Sequence, residues 1–227
     1  MVEQRNVLDL TGLICPLCHS QSLSLVGQNR QRSFFLCNEC TLISVPPQQW
    51  VDPEQELTRY NLHDNALSNA GYVKYLSQVV EEVRTLNLRD PHILDFGSGP
   101  NAVLASLLQQ SGFRVKAYDP LFGLELKRSE TFDLIVICEV IEHLRDILGE
   151  IELIKSILNP HGYILIRTQL YPSQEKFTGW WYAQDSTHIH FFSIKSMHKV
   201  AELLGMELLC TGRKDFFILR RCESLVR

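Results

Sequence analysis

Residues Ile93–Pro120 read ILDFGSGPNAVLASLLQQSGFRVKAYDP. An apolar run ends in Asp95, glycines follow at 97 and 99, and a helical stretch runs from Asn101 to Ser111. Gly112 ends that helix, and a second short run, Val115–Asp119, closes on another acid. Strand, glycine turn, helix and strand form a βαβ unit, whose crossover makes the two strands parallel. The next apolar run, DLIVIC (Asp133–Cys138), is nearly continuous, as a strand buried on both faces requires.

The same alternation extends in both directions. Leu67, Tyr72, Tyr75, Leu76, Val79, Val80, Val83 and Leu86 recur at helical spacing, predicting a helix over Asn65–Leu88. Ile141–Leu158 reads as a helix with a break near Gly149, GYILIRT (Gly162–Thr168) as a strand, and Ile194–Leu204 as a helix. Glu207–Gly212 and Phe216–Arg221 read as two strands joined by a short turn, and so antiparallel. The expected class is α/β: a doubly wound, mostly parallel sheet with a terminal antiparallel strand pair.

Composition narrows the context. The chain has 227 residues, 45% hydrophobic and 21% charged, with a formal net charge of −4 and no lysine- or arginine-rich run. A broad basic surface for nucleic acid is therefore not expected. No apolar run approaches the roughly 20 residues of a membrane span, and MVEQRNVLDL lacks the pattern of a secretory signal. A cytoplasmic protein is the expectation.

Four of the seven cysteines fall in two CxxC pairs, Cys15/Cys18 and Cys37/Cys40, separated by 18 residues. Two such turns aim four thiolates at one point, the arrangement zinc prefers. Ser33–Leu36 reads as one strand of an intervening hairpin. Residues 10–50 are expected to form a structural zinc ribbon, and Pro46–Trp50 a linker to a main domain over 60–227. Cys138, Cys210 and Cys222 lie singly.

The glycine turn raises the question of its ligand. Gly97-Ser-Gly99-Pro-Asn-Ala102 satisfies GxGxxG/A, with Asp119 about 20 residues on, which is also the dinucleotide fingerprint. Asp95 favours a different ligand. A carboxylate two residues before the first glycine would repel a pyrophosphate but suits a ligand with a cationic end.

With these residues in view, the chain resembles the class I S-adenosylmethionine (SAM)-dependent methyltransferases, in particular the group that includes the ubiquinone-biosynthesis O-methyltransferases. The resemblance rests on LDFGSGP (Leu94–Pro100), YDP (Tyr118–Pro120), FDLIVICEVIEHL (Phe132–Leu144) and THIHFFS (Thr187–Ser193), and covers roughly residues 60–221. It implies a Rossmann-like methyltransferase sheet. It also implies that Asp95, Gly97, Ser98 and Gly99 hold the methionine part of SAM, that Asp119, followed by Pro120, takes the ribose hydroxyls, and that Cys138 and Glu139 border the cofactor. Two departures stand out. Asn101 replaces the third glycine, and only about a dozen residues separate Pro120 from Asp133, so the family's third strand and its helix are shortened or missing.

Glu139, Glu142 and His143 form ExxEH at the start of a predicted helix, where spacings of three and four share one face. With His188 or His190 they would suit a hard or borderline divalent cation, magnesium or manganese. His188 fits better by resemblance to the small-RNA 3′-end 2′-O-methyltransferases. Without a metal, His143 or His188 is a candidate general base. Gly179–Phe192, with Trp180, Trp181 and Tyr182, is divided between core packing and an aromatic acceptor pocket. The helix from Asn65 is expected to cap the cofactor as a lid, with Tyr60, His63 and Tyr72 near that entrance.

The expected activity is methylation of a small-molecule acceptor, on oxygen by preference. The alternatives are an RNA methyltransferase, an NAD-binding oxidoreductase, and a non-catalytic protein that binds a partner through the ribbon. Nucleic acid is disfavoured because residues 1–60 hold four Arg, no Lys and six acids.

Overall fold

A computed structural model describes residues 12–29, 32–61, 65–127, 129–209 and 212–221. His63, the side chain of Tyr60, Cys210 and Cys222 lie outside the described residues, as do the ends of both expected domains.

In chain order the N-terminal part contributes β1 (Leu23–Gln28), β2 (Ser33–Cys37), β3 (Ile43–Ser44) and α1 (Pro53–Asn61). The main part follows with α2 (Ala70–Thr85), β4 (His92–Phe96), α3 (Val103–Gln110), β5 (Arg114–Tyr118), β6 (Phe132–Cys138), α4 (Ile147–Ile157) and β7 (Leu158–Arg167). Then come α5 (Gln174–Phe177), β8 (His190–Phe191), α6 (Ile194–Leu204), β9 (Met206–Leu209) and β10 (Phe216–Arg221).

Six strands form the main sheet in the order β5-β4-β6-β7-β10-β9. The β4/β5, β4/β6 and β6/β7 pairs are parallel, whereas β10 is antiparallel to both β7 and β9. Successive residues of β4 and β6 serve opposite faces. Ile93, Leu134 and Val136 pack with α2 and α3 through Leu76, Val79, Val83 and Leu104. Leu94, Ile135 and Ile137 pack with α4 and α6 through Ile151, Ile154, Val200 and Leu204. Between Pro120 and Phe132 the described residues hold a 3₁₀ turn, Pro120–Phe122, and no strand. The third strand of the family pattern is absent, as the short spacing implied.

Two expectations are corrected. Helix α2 begins at Ala70, five residues after the expected start, because Asn69 accepts the Tyr72 N–H and caps it there. ExxEH does not open a long helix. Glu139 has φ +54°, Ile141–His143 form one 3₁₀ turn, and α4 starts only at Ile147, where Asp146 accepts the Gly149 N–H. The break therefore lies at Leu144–Asp146, not at Gly149, and the three side chains do not share a helical face.

The N-terminal strands are not a tethered appendage. A second sheet runs β1-β2-β3-β8, so its fourth strand comes from the far end of the main part. Ile43 pairs with Phe191 and Ser44 with His190. The expected linker is a packed 3₁₀ turn, Pro47–Gln49, where Gln49 Oε1 accepts the Ser33 N–H and Trp50 Nε1 donates to the Val45 carbonyl. No helix among the described residues is long and apolar enough to cross a membrane.

Candidate active site

At the carboxyl ends of β4, β5 and β6 lies a cavity of about 570 Å³. In an open parallel sheet this is where the strand order reverses and ligands bind. One side is the glycine turn. Gly97 takes φ +76° and Gly99 φ +68°, a region that favours glycine. A Cβ on Gly97 would come within 2.5 Å of Val140, while a Cβ on Gly99 would meet nothing within 4 Å. The first glycine lets two strand ends approach; the second leaves room above the turn. Asp119 links the turn to β5. Its Oδ2 accepts the Gly99 N–H at 2.8 Å and its Oδ1 the Leu121 N–H at 3.1 Å. Burial raises its pKa.

Asp95 has a different place from the one expected. It is 2% exposed and not part of the cavity wall. Its Oδ2 accepts the Ala105 N–H at 3.0 Å, and burial pushes the carboxyl up to about 7. It holds the start of α3 behind the turn. Gly97, Ser98, Gly99, Asp119, Pro120, Cys138 and Glu139 all line the cavity.

The opposite wall is a buried polar network. Glu139 Oε1 accepts the Tyr75 hydroxyl at 2.8 Å, and its Oε2 accepts the Tyr182 hydroxyl at 3.1 Å. Tyr182 also makes a short hydrogen bond to Glu142, which accepts the Thr168 hydroxyl at 2.9 Å on its other oxygen. Glu142 is fully buried, and burial, reinforced by Glu139, pushes its carboxyl up to about 8. The single Tyr182 hydroxyl proton lies between the two carboxyls.

Two histidines complete the wall. His143 Nδ1 lies 3.0 Å from the Thr187 carbonyl and His188 Nδ1 2.9 Å from the Tyr182 carbonyl. A carbonyl only accepts, so each Nδ1 carries the proton and each Nε2 holds the lone pair. Burial lowers His143 to about 3 and His188 to about 4, which keeps both rings neutral. Ligand atoms of Glu142, His143 and His188 lie within 4.8 Å of one another. Glu139 is not part of that group and reaches it through Tyr182. His190 turns away, with Nε2 on the Leu144 carbonyl at 3.0 Å.

Comparison with known proteins gives this geometry a family. The methyltransferase-domain family model matches residues 69–211, well over half of the chain. The chain belongs to the methyltransferase-domain family. By family it is a methyltransferase. Among solved structures, the 1,6-didemethyltoxoflavin N1-methyltransferase of Burkholderia thailandensis, with 1,6-didemethyltoxoflavin and S-adenosylhomocysteine bound, superposes with a TM-score of 0.54 at 14% identity, over 87% of this chain and 98% of that one. An O-methyltransferase family protein from Burkholderia thailandensis superposes with a TM-score of 0.53 at 15% identity, over 76% of this chain and 64% of that one. At these identities the likeness is one of fold. No curated protein matches the sequence.

The methyltransferase has its four N-terminal cysteines together. Cys15 Sγ lies 3.5 Å from Cys40 Sγ, Cys18 Sγ lies 3.5 Å from Cys37 Sγ, and all four sulfurs fall within 4.8 Å of one another. Thiolates about 2.3 Å from a tetrahedral zinc ion stand about 3.8 Å apart, so the donor set fits. The hydrogen bond between Cys15 and Cys40 lowers the first to about 5 and raises the second.

Three contributors to the methyltransferase site carried little local signal. Tyr75 shows only as an apolar position three residues after Tyr72. Thr168 is the last residue of a predicted strand. Arg32, in the β1–β2 connection, reaches the Ala183–His188 segment more than 150 residues away.

Proposed function

We propose that this methyltransferase methylates a hydroxyl group of a small-molecule acceptor. The observation that carries the proposal is the continuity of one cavity from the Gly97–Gly99 turn and Asp119 to Glu139, Tyr182, His143 and His188. SAM supplies an electrophilic methyl group when bound. The residues present suit it. Backbone bared at Gly99 admits close approach, Asp119 is a hydroxyl acceptor at the ribose end, and Asp119 and Glu139 are acids fit for a ligand with a cationic end. Pro120 and Cys138 bound the same end, and Asp95 acts from behind by fixing α3.

On the acceptor side, Tyr75, Tyr182 and Trp181 supply aromatic surface. His188 or His143, with its Nε2 lone pair, takes the proton of the acceptor hydroxyl. Orientation of the attacking oxygen behind the methyl carbon contributes much of the rate. The alternative use of the same atoms is a magnesium or manganese site on Glu142, His143 and His188, with Glu139 positioned through Tyr182. Such an ion would hold the acceptor oxygens and lower their pKa. The four cysteines hold a structural zinc. The negative formal charge and the aromatic acceptor side favour a small molecule over RNA.

Calorimetric titration with SAM and with NAD tests the donor, followed by a methyl-transfer screen over phenols, catechols and amines. Micromolar SAM binding without NAD binding, and turnover on a hydroxyl acceptor, are expected. Turnover on amines alone would move the reaction to nitrogen. Undiminished turnover in excess chelator, with one zinc retained per chain, would remove the second metal.

A further inference from the structure

The Arg32 guanidinium is buried, with 4% of the residue exposed, and it faces the acceptor side from the N-terminal sheet. Its four terminal N–H groups meet four backbone carbonyls. One terminal nitrogen donates to Ala183 at 2.8 Å and Asp185 at 2.7 Å; the other donates to His188 at 2.7 Å and Ser186 at 3.3 Å. The Phe34 ring lies 5.4 Å from the same guanidinium. Arg32 is itself fixed: its N–H donates to Asn29 Oδ1 at 2.8 Å, and its carbonyl accepts the Asn29 N–H at 2.9 Å.

Two of the carbonyls Arg32 leaves unused in this segment have another task. Those of Tyr182 and Thr187 receive the Nδ1 protons of His188 and His143. A segment of seven residues thus has four carbonyls drawn to one cation and two turned to the Nδ1 atoms of rings that line the cavity. A buried cation costs several kcal/mol unless its donors are satisfied, which specifies the segment's conformation tightly.

The geometry points to Arg32 as a positioning residue for methyl transfer: held by the N-terminal sheet, it shapes Tyr182–His188 so that both histidines present Nε2 to the acceptor. This rests on the reading of the cavity as a methyltransferase site, but its test needs no acceptor. The residues assigned to the cofactor lie at the β4, β5 and β6 ends, and Glu139 among them meets the segment through the Tyr182 side chain rather than through the backbone that Arg32 holds.

The experiment compares full-length, zinc-loaded wild type with Arg32→Ala and Arg32→Lys. Three quantities are read: hydrogen exchange of the amides of Thr187, His188 and Ile189, SAM affinity by calorimetry, and the effect of added methylguanidinium. In Arg32→Ala, exchange at these amides is expected to quicken at least tenfold while the SAM dissociation constant stays within twofold. Methylguanidinium is expected to restore the protection, and Arg32→Lys to lie between the two. Unchanged exchange in Arg32→Ala would overturn the proposal. So would a parallel loss of SAM affinity in both variants, or protection that methylguanidinium does not restore, since either marks a general structural role. Failure of the wild type to bind SAM would instead strike at the functional reading, leaving the exchange comparison to stand or fall by itself.

Discussion

Asp119 Oδ2 accepts the Gly99 N–H at 2.8 Å, so the acid at the end of β5 and the second glycine after β4 are one unit. A hydrogen bond to a charged group contributes about 1.5–3 kcal/mol. Asp119→Ala removes that bond and the carboxylate proposed for the ribose. SAM affinity is expected to fall roughly 10- to 100-fold, with near-native circular dichroism. An unchanged dissociation constant would place the ribose elsewhere.

Gly97 and Gly99 should fail differently. At Gly97 an added methyl meets Val140 at 2.5 Å in a left-handed backbone. Gly97→Ala is expected to lose about 2–4 kcal/mol of stability through overlap and strain. At Gly99 the space is open, so Gly99→Ala should cost only about 1–2 kcal/mol from its backbone. Its main effect should be on SAM binding, because the methyl fills the space above the turn. Urea unfolding and calorimetry on both variants separate the two losses.

Tyr182 and Trp181 adjoin in sequence but not in role. Tyr182 is 1% exposed and bonds both Glu139 and Glu142, while Trp181 is 68% exposed at the cavity wall. Tyr182→Phe leaves two buried carboxyls short of a donor and should cost about 1–3 kcal/mol. It should also lower the rate of methyl transfer with SAM affinity unchanged. Trp181→Ala should alter stability by no more than about 0.5 kcal/mol and raise KM for the acceptor.

His190 gives a pH signature. It is fully buried, its Nδ1 has no hydrogen-bond partner among the described residues, and burial lowers its pKa to about 4. Neutral His190 is favoured in the fold. Its contribution is therefore fully present above the ordinary value near 6.5 and is lost as pH falls through about 4. Between pH 7.5 and 4.5 the stability difference between wild type and His190→Gln should narrow by about 2–3 kcal/mol. A difference constant with pH would contradict the depressed pKa.

Strand and helix order was legible where periodicity runs long. DLIVIC and the Tyr72–Val83 stripe could be little else, and the short spacing from Pro120 to Asp133 foretold a missing strand. Glu142 and His143 were misassigned to a helix because their spacing is helical. The cap at Asp146, followed three residues later by Gly149, was the signal that the helix starts later. Asp95 shows the limit of motif reading: composition reveals an acid beside a glycine turn, not which side of the turn it faces. The β3–β8 pair involves two residues per strand, too few for any pattern, and one arginine in a polar connection announces nothing.

The N-terminal sheet has a consequence for synthesis. Its third strand leaves the ribosome roughly 150 residues before the fourth, and at about 5–20 residues per second that is a wait of roughly seven to thirty seconds. Until Phe191 emerges, Ile43 has an unpaired backbone edge and Phe34 lacks one of the two rings it packs against, 5.8 Å away. Over that interval the nascent chain carries a three-stranded sheet with an open edge, and early metal capture by the cysteines is what would keep it from pairing with a neighbour.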